Sequence, residues 1–312
     1  YNEHPMPMPP LLSIIITAHN GEAWLSATLA SVIESLGGAL PLCEFIITND
    51  NSTDNTQQII DRFAASYPAS KTFITQFANI GKVRNFAVAQ CAGEYILMVD
   101  GDDLLLANKL HEKLQILQQQ RPDLLICKLI EIEENATPPE TVAASTPETL
   151  SQDNAIERFL IHRDFQAHVI GQFFRREILV AAPFPEFVCY EDGWVFPEVL
   201  TLSKKIFFSR SGFYLYIKRH GSLSGKINLT KVQCLYQTLV HMDQVLPARF
   251  SHLIACHWID LFNRHAGEMA GTVELEKIKK RIRGIGKLAF LTNGRIRFSY
   301  KRKLLKAARQ AQ

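Results

Sequence analysis

The chain has 312 residues, 47% hydrophobic and 21% charged, a composition that excludes a short peptide and a globally disordered chain and leaves enough apolar side chains for a sizeable core. The formal net charge of +3 hides a split, because thirteen of the 34 Lys and Arg lie between Lys277 and Arg309 and no Asp or Glu follows Glu276. The remaining 21 basic groups face all 31 acidic ones, so an acidic body of about −10 carries a basic tail, an asymmetry that points to a membrane surface or a nucleic acid.

Residues 1–10 are a Met/Pro-rich leader without the apolar core of a secretory signal, and no run approaches the 18 apolar residues of a spanning helix. From Leu11 short apolar runs alternate with helix-like stretches, which predicts βαβ units and a parallel sheet. Strands are expected at Leu12–Thr17, Phe45–Thr48, Lys71–Thr75 and Tyr95–Val99, with helices at Ala23–Leu36, Thr56–Ala65 (Asp54 as N-cap) and Gly81–Cys91 between them. A helix over Asn108–Gln119 and a strand over Leu124–Ile132 follow, then a Pro/Thr/Ser/Ala-rich loop from Glu133 to Ser151. Asn154–Ile161 reads as helix, Ala167–Phe174 as strand, Trp194–Ser203 as a helix with Pro197 in its first turn, and Phe213–Lys218 as strand. Lys231–Arg264 is helical in pattern.

Polar residues gather where the strands stop: Thr17-Ala18-His19-Asn20, Asn49-Asp50-Asn51-Ser52 and Asp100-Gly101-Asp102-Asp103. In an open α/β sheet ligands sit outside the carboxyl ends of the strands, so the three ends can share one pocket. Carboxylates this close repel one another unless compensated, and a hard divalent cation with oxygen ligands is their natural partner. Taken alone, Asp102 and Asp103 could equally serve as a helix N-cap. Neither a P-loop nor a G-x-G-x-x-G occurs, so a diphosphate would need a metal such as Mg²⁺ or Mn²⁺ in place of a glycine cradle.

The runs LLSIIITAHN, EFIITNDNSTDNT and GKVRNFAVAQCAGEYILMVDGDD, with YEDGWVF and YLYIKRHGSLS further on, resemble the inverting glycosyltransferases of family 2. The resemblance covers roughly residues 10–225 and implies a GT-A fold: an α/β domain over 11–225, with a nucleotide-binding part at 11–105 and an acceptor part at 106–225. Residues 226–312 would form a helical C-terminal region ending in the basic tail 277–312. It implies Thr17, His19 and Asn20 along the nucleotide base, Asp50 on the uracil or ribose side, Arg84 at the base or diphosphate and Asp100 on the ribose. Asp102 would hold the metal, Mn²⁺ or Mg²⁺, and Asp103 would be a third carboxylate. Asp192 would be the catalytic base as one unpaired carboxylate, with Glu191 its fallback, although an N-cap role fits the same place. Arg219 and His220 would close over the diphosphate or stand in a solvated turn.

Trp24 and Trp258 read as packing residues, Trp194 as either a packing residue or a border of the acceptor pocket, and the remaining histidines, His241 and His257 among them, as structural. Cys43, Cys91, Cys127, Cys189, Cys234 and Cys256 lack metal spacing and read as reduced cytosolic thiols. In the tail, Ile278, Ile282, Ile285 and Ala289 fall on one stripe of a basic helix over Lys277–Phe290, suited to an anionic lipid surface or to packing on the body. With few aromatics in the tail and an acidic body, nucleic acid is not an expected partner. The expected partners are a nucleotide-diphosphate sugar, UDP-linked, and a saccharide or lipid-linked acceptor in polysaccharide synthesis at the inner face of the cell membrane. A metal-dependent nucleotidyltransferase is the alternative enzyme and a Mg²⁺-binding scaffold domain the alternative without catalysis; the first would carry a basic Gly-rich loop where this chain has AHNGEAW.

Overall fold

A computed structural model describes residues 6–140, 143–221 and 225–312. Strand β1 (Leu12–Ala18) is buried almost throughout, as a strand covered by helices on both faces must be. Helix α1 (Leu25–Leu36) turns Leu25, Leu29, Val32 and Leu36 inward; the stretch Leu25–Leu42 has a mean hydropathy of 1.3, and that inward face belongs to the core. Strand β2 (Cys43–Asp50), α2 (Thr56–Ser66), β3 (Ser70–Thr75), α3 (Ile80–Ala89) and β4 (Tyr95–Asp100) follow at the expected places. Then come the short β5 (Leu104–Leu105), α4 (Lys109–Gln120), β6 (Leu124–Cys127), β7 (Ile130–Glu133), β8 (Glu148–Leu150) and α5 (Gln152–Ile161). Strand β9 (Phe173–Arg175), α6 (Arg176–Ala181), α7 (Glu191–Leu202), β10 (Ile206–Ser209) and β11 (Tyr214–Lys218) close the α/β part.

The main sheet runs β3-β2-β1-β4-β9-β6-β10-β8, and a small sheet runs β5-β11-β7. Strands β1 to β4 are parallel, as are β6 and β10, whereas β9 and β8 insert antiparallel. The sheet is thus mostly parallel, with an antiparallel seam between its halves.

Several expected boundaries move, each for a local reason. The strand expected over Leu124–Ile132 is two, because the ladder partner changes from β10 (Cys127 opposite Ser209) to β11 (Ile130 opposite Leu215). The Ala167–Phe174 strand shrinks to β9 and one bridge at Ile170, since Gly171 turns the backbone at φ +73°. Helix α7 starts at Glu191, which puts Pro197 beyond the first turn; the residue four before it is Gly193, which has no side chain there. The loop 133–151 ends in β8, and α6 and β10, too short to show a period, emerge only in the structure.

The C-terminal region is α8 (Leu229–Val245), α9 (Ser251–His265), α10 (Val273–Arg283), α11 (Lys287–Thr292) and α12 (Phe298–Gln310). Helix α8 packs on α7 and α9 on α5, while α10 and α12 pack on α9, so one continuous core runs from Leu12 to Ala311. The tail stripe is corrected here: Gly284 and Gly286 separate α10 from α11, Ile278, Ile282 and Ile285 are buried in the core, and Ala289 is exposed with Phe290 buried in its stead. That apolar stripe therefore packs on the body, and the basic side chains stay outside. All six cysteines are free; burial pushes the thiols of Cys43, Cys91 and Cys256 up to about 12 and those of Cys127 and Cys189 to about 11, which keeps them unreactive.

Candidate active site

Register places the three polar strand ends side by side. Thr17 pairs with Asp100 across to β4 and with Thr48 across to β2, and Asp50 lies opposite Thr75. These ends open into a cavity of about 630 Å³ to which Thr17, His19, Asp50, Arg84, Asp100, Asp102 and Glu191 contribute.

On its β2 side Asp50 is buried and its carboxylate accepts from the Thr75 hydroxyl (2.8 Å) and from the amides of Phe77 (2.7 Å) and Ala78 (2.9 Å). It therefore fastens the loop that leads into α3, where the Asn79 side chain caps the helix by accepting from the Lys82 amide at 3.0 Å. His19 donates from Nδ1 to the Asp50 carbonyl (2.8 Å), which fixes its tautomer when neutral. Asn20 stands outside the cavity lining: at φ +47° its side chain accepts from the Thr53 amide (2.8 Å) and clips the two loops together.

The acidic cluster is gathered as expected, with one oxygen from each of Asp100, Asp102 and Asp103 within 4.8 Å of the others. Gly101 is required between them, because a Cβ there would stand 2.7 Å from the Thr17 carbonyl. The three carboxylates differ in what they can do. Asp103 is buried and accepts from the Tyr214 hydroxyl (2.6 Å) and the Ile217 amide (3.0 Å); burial first, then the charge of Asp100, pushes it up to about 7. It ties β4 to β11. Asp100 is partly buried and its carboxyl is raised by burial, opposed by Arg84, and half-exposed Asp102 stands 3.4 Å from Arg219. Two hard-oxygen carboxylates with lone pairs to spare fit a Mg²⁺- or Mn²⁺-type ion.

The opposite wall is the start of α7. Asp192, expected to be unpaired, has both oxygens engaged: Oδ1 accepts from Arg84 Nη1 at 2.9 Å and Oδ2 from the Val169 amide at 3.0 Å. Arg84, expected at the base or diphosphate, is 5% exposed and set among three carboxylates, 3.5 Å from Glu191 and 3.5 Å from Asp100 besides Asp192. Burial works against its charge, and Asp192, Asp100 and Glu191 outweigh it and hold the guanidinium above its ordinary range. Glu191 faces the cavity, its carboxyl raised by burial and by Asp192 beside it.

Two features escaped the sequence reading. Trp24, read as a packing residue, is 37% exposed and lines the cavity, with the Arg219 guanidinium 4.7 Å over its ring. Arg219 also reaches Glu134 at 3.5 Å, whereas His220 is exposed and outside the cavity. Phe187 and Val188 wall the cavity on the α7 side; Trp194 backs Phe187 edge-on at 5.3 Å and stacks flat on His241 at 3.8 Å. The Trp258 indole is core, as read, and donates to Asp243.

The segment before that wall rests on Gly81, where a Cβ would fall 2.1 Å from the Pro185 carbonyl. Gly81→Ala is expected to lift the segment from α3, costing about 1–3 kcal/mol in a denaturant melt and weakening nucleotide binding in a parallel titration. If both measurements match the parent, the wall is not anchored here.

Sheet order, cavity and acidic strand end together define an α/β protein of the GT-A type. The profile of glycosyl transferase family 2 matches residues 13–178, more than half of the chain, and the chain belongs to that family. It is 27% identical over 139 residues to the poly(ribitol-phosphate) beta-N-acetylglucosaminyltransferase TarS of Staphylococcus aureus, 44% of this chain and 24% of that protein. The chain thus spans about a quarter of that relative's length. The crystal structure of S. aureus TarS 1–349 in complex with UDP-GlcNAc matches with a TM-score of 0.70 at 19% identity, covering 96% of this chain and 90% of that one. A mannosyltransferase from Pyrobaculum calidifontis in complex with GDP-Man and Mn²⁺ matches with a TM-score of 0.55 at 14% identity, covering 97% and 87%. At these identities the likeness is one of fold.

Proposed function

We propose that the protein is an inverting glycosyltransferase that moves a sugar from a nucleotide-diphosphate donor, a UDP-sugar, to a saccharide or lipid-linked acceptor of a cell-surface polysaccharide. The observation that carries this is the pairing of carboxylates across one cavity: Asp100 and Asp102 line its sheet side and Glu191 its helix side, with Asp192 bordering it through Arg84. Thr17, His19 and Asp50 would border the base, and Asp100 the ribose.

A divalent cation, Mn²⁺ or Mg²⁺, would be held by Asp100 and Asp102 and would neutralise the leaving diphosphate. Asp192 takes the proton of the acceptor hydroxyl as its oxygen bonds to the anomeric carbon, and the bond from that carbon to the diphosphate oxygen breaks with its electron pair leaving on the diphosphate. Arg219, which lies over Trp24 and beside Asp102, would turn to the diphosphate. The exposed apolar side chains of Leu288 and Phe298 beside the tail's cations suit the inner face of an anionic membrane. In function the two parts are a catalytic domain over 11–225 and a helical support over 226–312.

Calorimetric titration of UDP and GDP with and without Mn²⁺ tests the donor class. UDP binding strengthened by Mn²⁺ is expected, with Asp102→Ala reducing the metal-dependent affinity by at least about tenfold. UDP affinity unchanged by metal or by the substitution would remove the metal assignment, and no nucleotide binding at all would favour a scaffold.

A further inference from the structure

A second cavity, of about 510 Å³, lies where the C-terminal helices meet the α/β part. Its floor is apolar, with Leu239 of α8 and Leu253 of α9 buried. Three arginines also line it, Arg264 at the end of α9 and Arg295 and Arg297 before α12. Arg264 and Arg297 are exposed and make no side-chain ion pair or hydrogen bond among the described residues, and Arg295 has only a 3.9 Å approach to Glu157. The carboxylate lining this cavity, Asp260, is already engaged by the Tyr300 hydroxyl and the Lys303 ammonium at 3.1 Å. Glu157, 3.9 Å from Arg295, and Asp260, already held by Lys303, do not balance the three arginines, so positive charge is in excess around this cavity and an anionic occupant lowers its self-repulsion. The forked donors of the arginines match the oxygens of a phosphate.

The position ties this cavity to the first. Tyr190, held at φ +64°, lines the second cavity, and the next residue, Glu191, lines the first. A non-glycine residue kept in the left-handed region is strained and persists where its surroundings over-determine it.

We infer that the second cavity binds a phosphate group through Arg264, Arg295 and Arg297, and that this phosphate belongs to the acceptor, a phosphodiester-bearing chain or lipid whose hydroxyl reaches Asp192 past Tyr190. The phosphate site stands on the cavity alone, while its assignment to an acceptor rests on the transferase reading above.

The test titrates inorganic phosphate and a glycerol-phosphate dimer into the full chain, with UDP and Mn²⁺ saturating the first cavity, and repeats both with Arg264→Gln/Arg297→Gln. Both probes are expected to bind the parent, the dimer more tightly, and to lose at least about tenfold in affinity in the variant, with UDP affinity and melting temperature unchanged. Absence of phosphate binding in the parent, or equal binding in the variant, overturns the site. Phosphate binding as tight as the dimer overturns the acceptor assignment and leaves a site for the free anion. Phosphate binding lost in the variant of a chain that binds no UDP keeps the site and sinks the transferase reading instead.

Discussion

Asp192→Asn is expected to lower kcat for sugar transfer by about 10²- to 10⁴-fold, the range a positioned general base supplies, while the affinity for the nucleotide-sugar changes little. The donor affinity is spared because Asp192 does not line the main cavity, which it borders through Arg84, whereas Glu191 does line it. The amide retains one acceptor oxygen for the Arg84 guanidinium or the Val169 amide but has no basic site for the acceptor's proton. Glu191→Gln separates the two carboxylates. Glu191 makes only a 3.5 Å approach to Arg84, and burial raises its carboxyl, so its loss should weaken donor binding more than it slows turnover. Single-turnover rates and donor titrations on both variants decide the assignment. Full turnover in Asp192→Asn with loss in Glu191→Gln would move the base to Glu191.

The sheet was legible because its strands are buried on both faces: Ile14, Ile15 and Ile16 and the run Tyr95–Val99 are continuous apolar segments that only a covered strand explains. The acidic strand end was legible for the related reason that charged residues directly after such a strand must emerge at its carboxyl end. What sequence could not carry is who pairs with whom across a distance. Asp192 read as unpaired because its partner, Arg84, lies 108 residues earlier on α3. Asn20 read as a ligand with its neighbours because it shares their strand end, while its positive φ turns its side chain onto Thr53. Trp24 read as packing because its helical spacing says nothing of Arg219, which arrives from β11 nearly 200 residues later to lie on its face. Lys113 shows the same limit in the core: on an ordinary helix face it would be solvated, yet it is 1% exposed, with its ammonium donating to the Ser209 hydroxyl (2.7 Å) and the Ser211 carbonyl (2.6 Å). The tail stripe was legible as apolar but not its partner, since amphipathicity does not tell a protein face from a lipid one; Ile278, Ile282 and Ile285 pack on the body.

Arg84→Ala is expected to cost about 3–5 kcal/mol of stability, the range for removing one partner of a buried ion pair, and to abolish transfer. The guanidinium is 5% exposed and is the cation that sets Asp192, Glu191 and Asp100 within reach of one another. Removing it leaves three neighbouring carboxylates with mutual repulsion and no counter-charge. Lysine should recover only part of the loss, because a point charge cannot meet three carboxylates with a planar fork. The pH dependence follows from the direction of the shifts. Glu191 and Asp100 are raised by burial even with Arg84 present, so without it their folded-state values rise further above those of the unfolded chain. The folded variant then binds more protons than the unfolded chain between those values, and its stability falls as pH rises through that window. Urea melts of parent and Arg84→Ala at pH 5 and pH 8 should therefore show a deficit that is small at the lower pH and full at the higher. A deficit independent of pH would mean that lost packing against Phe184, 5.4 Å below the guanidinium, and not the three uncompensated charges, accounts for the damage.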